Sequence, residues 1–80
     1  MIMIDVFIPS LYRPYDFEVN EKETAANLVV DIKEIVERQH RIKFKEAPYA
    51  LFDYGKGEFI KNDMSLAEQG IGNGDRLILI

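Results

Sequence analysis

Only one segment of this chain has the periodicity of an amphipathic helix, and segments of period two flank it on both sides. Leu28, Val29, Ile32, Ile35 and Val36 form one apolar stripe, while Asp31, Lys33, Glu34, Glu37 and Arg38 take the opposite side. Thr24 is the expected N-cap. Glu21 and Glu23 lie near the positive end of the helix dipole, and Arg38, His40 and Arg41 near its negative end. The spacing predicts a helix from Ala25 to Gln39. A lone helix with a single apolar stripe can cover only one face of a sheet, which restricts these 80 residues to one two-layer α+β domain spanning 1–80.

The strands follow from alternation. In "MIMIDVFIP", Ile2, Ile4, Val6 and Ile8 share one face and Met3, Asp5 and Phe7 the other, and Asp5 marks the second face as the outer one. Pro9, Ser10 and Pro14 signal a turn, after which "YDFEV" puts Tyr15, Phe17 and Val19 inward. The two runs form a hairpin with a connection of about six residues. Beyond the helix, Pro48 forbids further helix and "YALFDY" reads as a strand. Its facing is open, since Tyr49/Leu51 and Ala50/Phe52 are both credible inner pairs. "GKG" turns the chain into a short edge strand, "EFI", and "MSLAEQGI" is one turn that plugs Leu66 and Ile71 into the core. Asn73-Gly74 is a turn signal ahead of the last strand, "DRLILI". Because that strand is the most apolar partner left for the N-terminal hairpin, it belongs in the middle of a mixed four- to five-stranded sheet packed on one helix. This is the β-grasp arrangement.

Composition narrows the function. With no cysteine there is no disulfide framework and no thiolate metal site, so packing alone must stabilise the domain. The N-terminal "MIMIDVFIPS" is apolar but short, alternating and without a basic leader, and so is expected to be a strand of a cytosolic protein. A net charge of −4 disfavours general nucleic-acid binding. Arg38, Arg41, Lys43 and Lys45 nevertheless cluster, leaving six basic against fourteen acidic residues elsewhere. This cluster either complements the helix end and solubilises a loop or docks an acidic surface or an anionic membrane leaflet.

Catalytic chemistry is not expected. "GIGNGD" lacks the spacing of a phosphate-binding loop and leads into a strand where such a loop would lead into a helix. "GKG" reads as turn chemistry. His40, the only histidine, has no partner at ligand spacing and is expected to be solvated at the helix end. Ser10, Thr24 and Ser65 read as loop and cap residues, since no Ser-His-Asp or Cys-His set is present. No cofactor or metal is implied. The outer face of the sheet is a better candidate site. If Leu77 and Leu79 point inward, Ile78 and Ile80 point out beside Met3 and Phe7, joined by Leu51 if its strand faces that way. A contiguous apolar cluster of this kind marks an interface, with self-association through the same face as the competing reading.

Two stretches carry a family likeness. "FEVNEKETAANLVVDI" resembles the second strand, cap and helix start of ubiquitin-like domains, and "SLAEQGIGNGDRLILI" resembles their closing segment. More narrowly, Gly70-Ile71-x-Asn73-Gly74-Asp75-x-Leu77 resembles the YukD-type ubiquitin-fold proteins that accompany the type VII (WXG100, ESX-type) secretion apparatus of Gram-positive bacteria. The resemblance implies a cytoplasmic adaptor, carried to the inner face of the membrane by membrane or ATPase components of that apparatus, with the outer sheet face as the partner surface. Modifiers and sulfur carriers need a flexible Gly-Gly tail, whereas this sequence ends at Ile80 within a strand, so conjugation is not expected. An interaction protein of an unrelated pathway is the alternative, ahead of a modifier relative without the tail.

Overall fold

Strand β1 (Ile2–Ile8) and strand β2 (Arg13–Val19) pair antiparallel along their whole length, from Ile2 opposite Val19 to Ile8 opposite Arg13, in the computed structural model, which describes residues 1–80. Their connection is tighter than about six residues: a 3-10 turn, Pro9–Leu11, closes on Tyr12, whose φ of 53° is left-handed. Helix α1 (Ala25–His40) begins where the sequence places it. Thr24 stays extended and its Oγ1 accepts from the Asn27 N–H at 3.4 Å. The helix runs one residue past Gln39 and stops at Arg41, which adopts a left-handed conformation (φ 54°) and donates its N–H to the Glu37 carbonyl.

Strands β3 (Leu51–Asp53), β4 (Glu58–Phe59) and β5 (Arg76–Leu79) complete a sheet of order β2-β1-β5-β3-β4. The last strand is central, parallel to β1 and antiparallel to β3. Leu77 and Leu79 join Ile4, Val6, Ile8 and Leu51 on the inner face, against Leu28, Val29, Ile32 and Val36 of α1. Phe44 and Ile60 extend this core. In "RIKFK", Ile42 and Phe44 turn inward and Lys43 and Lys45 outward.

Four expectations need correction. Leu51 is fully buried and cannot belong to the outer face. The facing of β3 is fixed by Asp53, whose buried Oδ1 accepts from the Gly55 and Lys56 N–H groups at 3.0 and 3.2 Å and so shapes the following turn. With Asp53 turned in, Leu51 is inner and Phe52 outer. Ile35 is 45% exposed, because the predicted stripe is wider than the surface the sheet offers. His40 is half-buried and hydrogen-bonded through Nε2 to the Tyr15 hydroxyl at 2.8 Å, which ties the end of α1 to β2. Ser65 is a buried capping residue and no mere loop position. Its Oγ accepts from the Glu68 N–H while the Glu68 carboxylate accepts from the Ser65 N–H, each at 3.1 Å. This is a reciprocal capping box on a single 3-10 turn (Ala67–Gln69).

That box holds the turn that drives Leu66 and Ile71 into the core, as the sequence predicts. Gln69 fastens the preceding loop by accepting from the Lys61 N–H at 2.7 Å and donating to the Lys61 carbonyl at 2.8 Å. Only Gly74 of the Asn73-Gly74 pair takes a positive φ (83°); Asn73 contributes through its side chain, whose Oδ1 accepts from the Met3 N–H at 2.7 Å.

The hydrogen bonds from Ser65 hold the Glu68 carboxyl below its ordinary value of 4.5. A depressed carboxylate contributes stability that is present above the unfolded value and disappears as pH falls through the folded one. Urea melts between pH 6 and 3 should show wild type losing stability more steeply than Glu68→Gln below about pH 4.5. Parallel pH profiles would remove the box from the acid response.

Candidate protein-binding face

The registers place one residue from every strand in a single row across the outer face. Pro14 of β2 pairs with Phe7 of β1, Phe7 with Ile78 of β5, Ile78 with Phe52 of β3, and Phe52 with Phe59 of β4. Directly paired residues project to the same side of a sheet, and the three central members are flanked by buried inward neighbours: Val6 and Ile8 around Phe7, Leu77 and Leu79 around Ile78, Leu51 and Asp53 around Phe52. The row is therefore continuous and apolar from edge to edge. Phe52 and Phe59 meet edge-on with ring centroids 5.1 Å apart, and Phe59 is 59% exposed.

One step along the strands, polar groups border the row. Asp16 pairs with Asp5, Asp5 with Arg76, and the Arg76 carbonyl accepts from the Tyr54 N–H at 3.2 Å. An open groove of about 520 Å³ runs between the two rows, with Phe7, Pro14 and Ile78 on one side and Asp5, Arg76 and Tyr54 on the other. On the far side of the apolar row, Ile80 stands 53% exposed and exchanges backbone hydrogen bonds with Ala50 at 2.8 and 2.9 Å.

Of the residues singled out in the sequence, the structure brings Phe7, Ile78 and Ile80 together. Met3 is outward but separated from Phe7 by the Asp5 row, and it flanks the Asn73-Gly74 turn, where its carbonyl accepts from the Gly74 N–H at 2.8 Å. Leu51 lies in the core. Phe52, which the sequence leaves as a possible inner residue, and Phe59 of the edge strand complete the row; the Asp53-x-Gly55 spacing, which suits a side-chain-capped turn, is the signal that would have turned Phe52 outward. Arg38, Arg41, Lys43 and Lys45 are all exposed. Lys43 and Lys45 share a shallow depression with Glu34, Glu37 and Glu46, which neither Arg38 nor Arg41 lines. No helix is long and apolar enough to cross a membrane.

No family model and no curated protein matches the sequence. Solved structures do match. The chain is similar to the ubiquitin-like domain of Arabidopsis thaliana protein At2g32350, at 26% identity over 99% of this chain and 74% of that one, with a TM-score of 0.69. A chain of the ESX-5 inner membrane complex matches at 19% identity and a TM-score of 0.77, over 99% of this chain and 20% of that one. A chain of the toluene 4-monooxygenase HD complex matches at 12% identity and a TM-score of 0.82, over 98% and 94%. The fold is thus the ubiquitin-like β-grasp, which recurs within larger chains and in complexes of different kinds.

The split between inner and outer faces predicts unequal costs for Leu51, turned inward on β3, and Phe59, turned outward on the adjoining β4. Leu51→Ala, which opens a core cavity, should lower stability by about 2–5 kcal/mol, and Phe59→Ser by about 1 kcal/mol or less. Chemical denaturation of the two variants checks this; equal losses would contradict the assigned facing.

Proposed function

We propose that this domain is a non-catalytic ubiquitin-fold adaptor of the type VII (WXG100, ESX-type) secretion machinery, binding a protein partner through the outer face of its sheet. The observation that carries the reading is the unbroken row Pro14–Phe7–Ile78–Phe52–Phe59, with Ile80 beside it. A strip of aliphatic and aromatic side chains at the centre of a face, bordered by Asp5, Arg76 and Tyr54, has the layout of an interface with an apolar middle and a polar rim. The pathway is supported by the Gly70-Ile71-x-Asn73-Gly74-Asp75-x-Leu77 motif and by the likeness to part of an ESX-5 inner membrane complex chain. On this reading the domain works in the cytoplasm, at the inner face of the membrane, through a membrane or ATPase subunit. It takes part by contact and not by conjugation.

A second reading, an interaction protein of an unrelated pathway, is favoured by the higher TM-score to the toluene 4-monooxygenase complex chain. Both readings use the same face, so the partner's identity separates them.

Wild-type protein used as bait in host lysate should recover subunits of the secretion complex. Phe59→Asp, at the sheet edge, and Ile78→Asp, at its centre, should each weaken that capture by about thirtyfold or more, with circular dichroism showing both folded. Recovery of the same subunits by all three baits would remove the face from the proposal; recovery of an oxygenase or another unrelated complex would favour the second reading.

A further inference from the structure

The only two residues other than glycine with a left-handed backbone, Tyr12 (φ 53°) and Arg41 (φ 54°), lie at the same end of the domain. Tyr12 closes the β1–β2 turn and Arg41 stops α1. Glycine or asparagine would hold either conformation at lower cost, yet both positions carry large, exposed side chains, and Tyr12 is 87% exposed. Tyr15 joins the two termini. The Arg13 guanidinium carbon lies 5.7 Å from the centre of its ring, and His40 meets the same ring edge-on with centroids 5.4 Å apart. Arg13, isolated in the sequence, is thereby brought to the helix end with Arg38, His40 and Arg41.

The cations at this end are unmatched. The one ion pair of the domain joins the Met1 amino group to Glu21 at 2.9 Å, so Arg13, Arg38 and Arg41 have no carboxylate partner. Lys43 and Lys45 differ, because with Lys33 they share their depression with Glu34, Glu37 and Glu46, and charge there is balanced. Glu37 is held toward that loop, since its Oε2 accepts from the Phe44 N–H at 2.8 Å. None of the three larger grooves includes Tyr12, Arg13, Arg38 or Arg41. A peptide or a small anion is held in a concavity, whereas arginines around a protruding tyrosine suit a broad anionic plane. Arginine matches phosphate oxygens in geometry, and tyrosine settles at the level of lipid headgroups. The net charge of −4 does not oppose this contact strongly: the Debye length is about 8 Å at physiological salt, and the domain measures 32 × 23 × 22 Å. Distant carboxylates are screened and serve to orient the domain.

We propose that this end of the domain docks on an anionic lipid bilayer, with Arg13, Arg38 and Arg41 against lipid phosphates and Tyr12 seated among the headgroups. The contact needs no partner protein and stands whether or not the pathway above holds. Because β1 ends at the docking surface, the sheet stands on the bilayer and its outer face stays open to a protein partner.

The test is co-sedimentation of the full-length protein, at physiological salt, with vesicles of phosphatidylcholine alone and with vesicles containing about one-third phosphatidylglycerol. The protein should sediment with the anionic vesicles only, and added salt should release it. Each arginine near the surface raises partition about fivefold, so Arg38→Gln combined with Arg41→Gln should lower binding by about twentyfold or more. Lys43→Gln combined with Lys45→Gln should change it by about twofold or less, since those lysines face carboxylates. Tyr12→Gly, which relieves the left-handed conformation, should not lower the melting temperature yet should weaken binding about threefold or more. That variant separates loss of contact from loss of fold. Equal binding to neutral and anionic vesicles, a larger loss from the lysine pair than from the arginine pair, capture of soluble polyglutamate with the same arginine dependence, or no sedimentation up to about 10 mM anionic lipid would each overturn the proposal.

Discussion

The pairing of β5 on both edges is the constraint on which the rest of the domain depends. This strand contributes two fully inward leucines, Leu77 and Leu79, and joins the N-terminal hairpin to the β3–β4 hairpin, which share no other ladder. Without it the inner face of β1 and the stripe of α1 would have only half a sheet to close against. The parallel ladder from Asp5–Arg76 to Phe7–Ile78 links residues about seventy positions apart, so the entropy of closing that loop falls before the contact can repay it. Local devices offset part of this. Asn73 and Gly74 anchor the final turn to Met3, and the Ser65–Glu68 box and the Gln69 clasp order the segment leading into it.

Much of this order was legible in the residues because strong periodicity is hard to misread. β1, β2 and α1 are long enough for their facing to be overdetermined, and the central place of β5 followed from its being the most apolar strand left. Legibility failed where an element is short or where two faces are equally apolar. Strand β3 has three residues, with Leu51 and Phe52 competing for the core, and neither hydrophobicity nor propensity decides between them. A polar neighbour does, through the carboxylate of Asp53 under the turn. The same choice moves Leu51 out of the candidate face and brings Phe52 and Phe59 into it. Ile35 was misplaced for a different reason: a helical stripe states which residues could be buried, whereas the partner surface states how many are.

The surface is divided by chemistry. The outer face is apolar with a charged border, the β2 edge is acidic, and the loop after α1 alternates basic residues outward with Ile42 and Phe44 inward. The carboxylates of Asp16 and Glu18 on β2 disfavour indiscriminate pairing of this free edge.

The five-residue row on the outer face also has a thermodynamic meaning. Each member comes from a different strand, so the strip exists only when all the registers are correct at once; a slip of one residue in any strand would exchange an outer side chain for a core one. A partner that reads the strip therefore has no affinity for partly assembled chains. Its binding free energy adds to the folded state alone, so the concentration of the partner sets the effective stability of the domain. Any binding at the strip would thus be thermodynamically linked to the completeness of the fold.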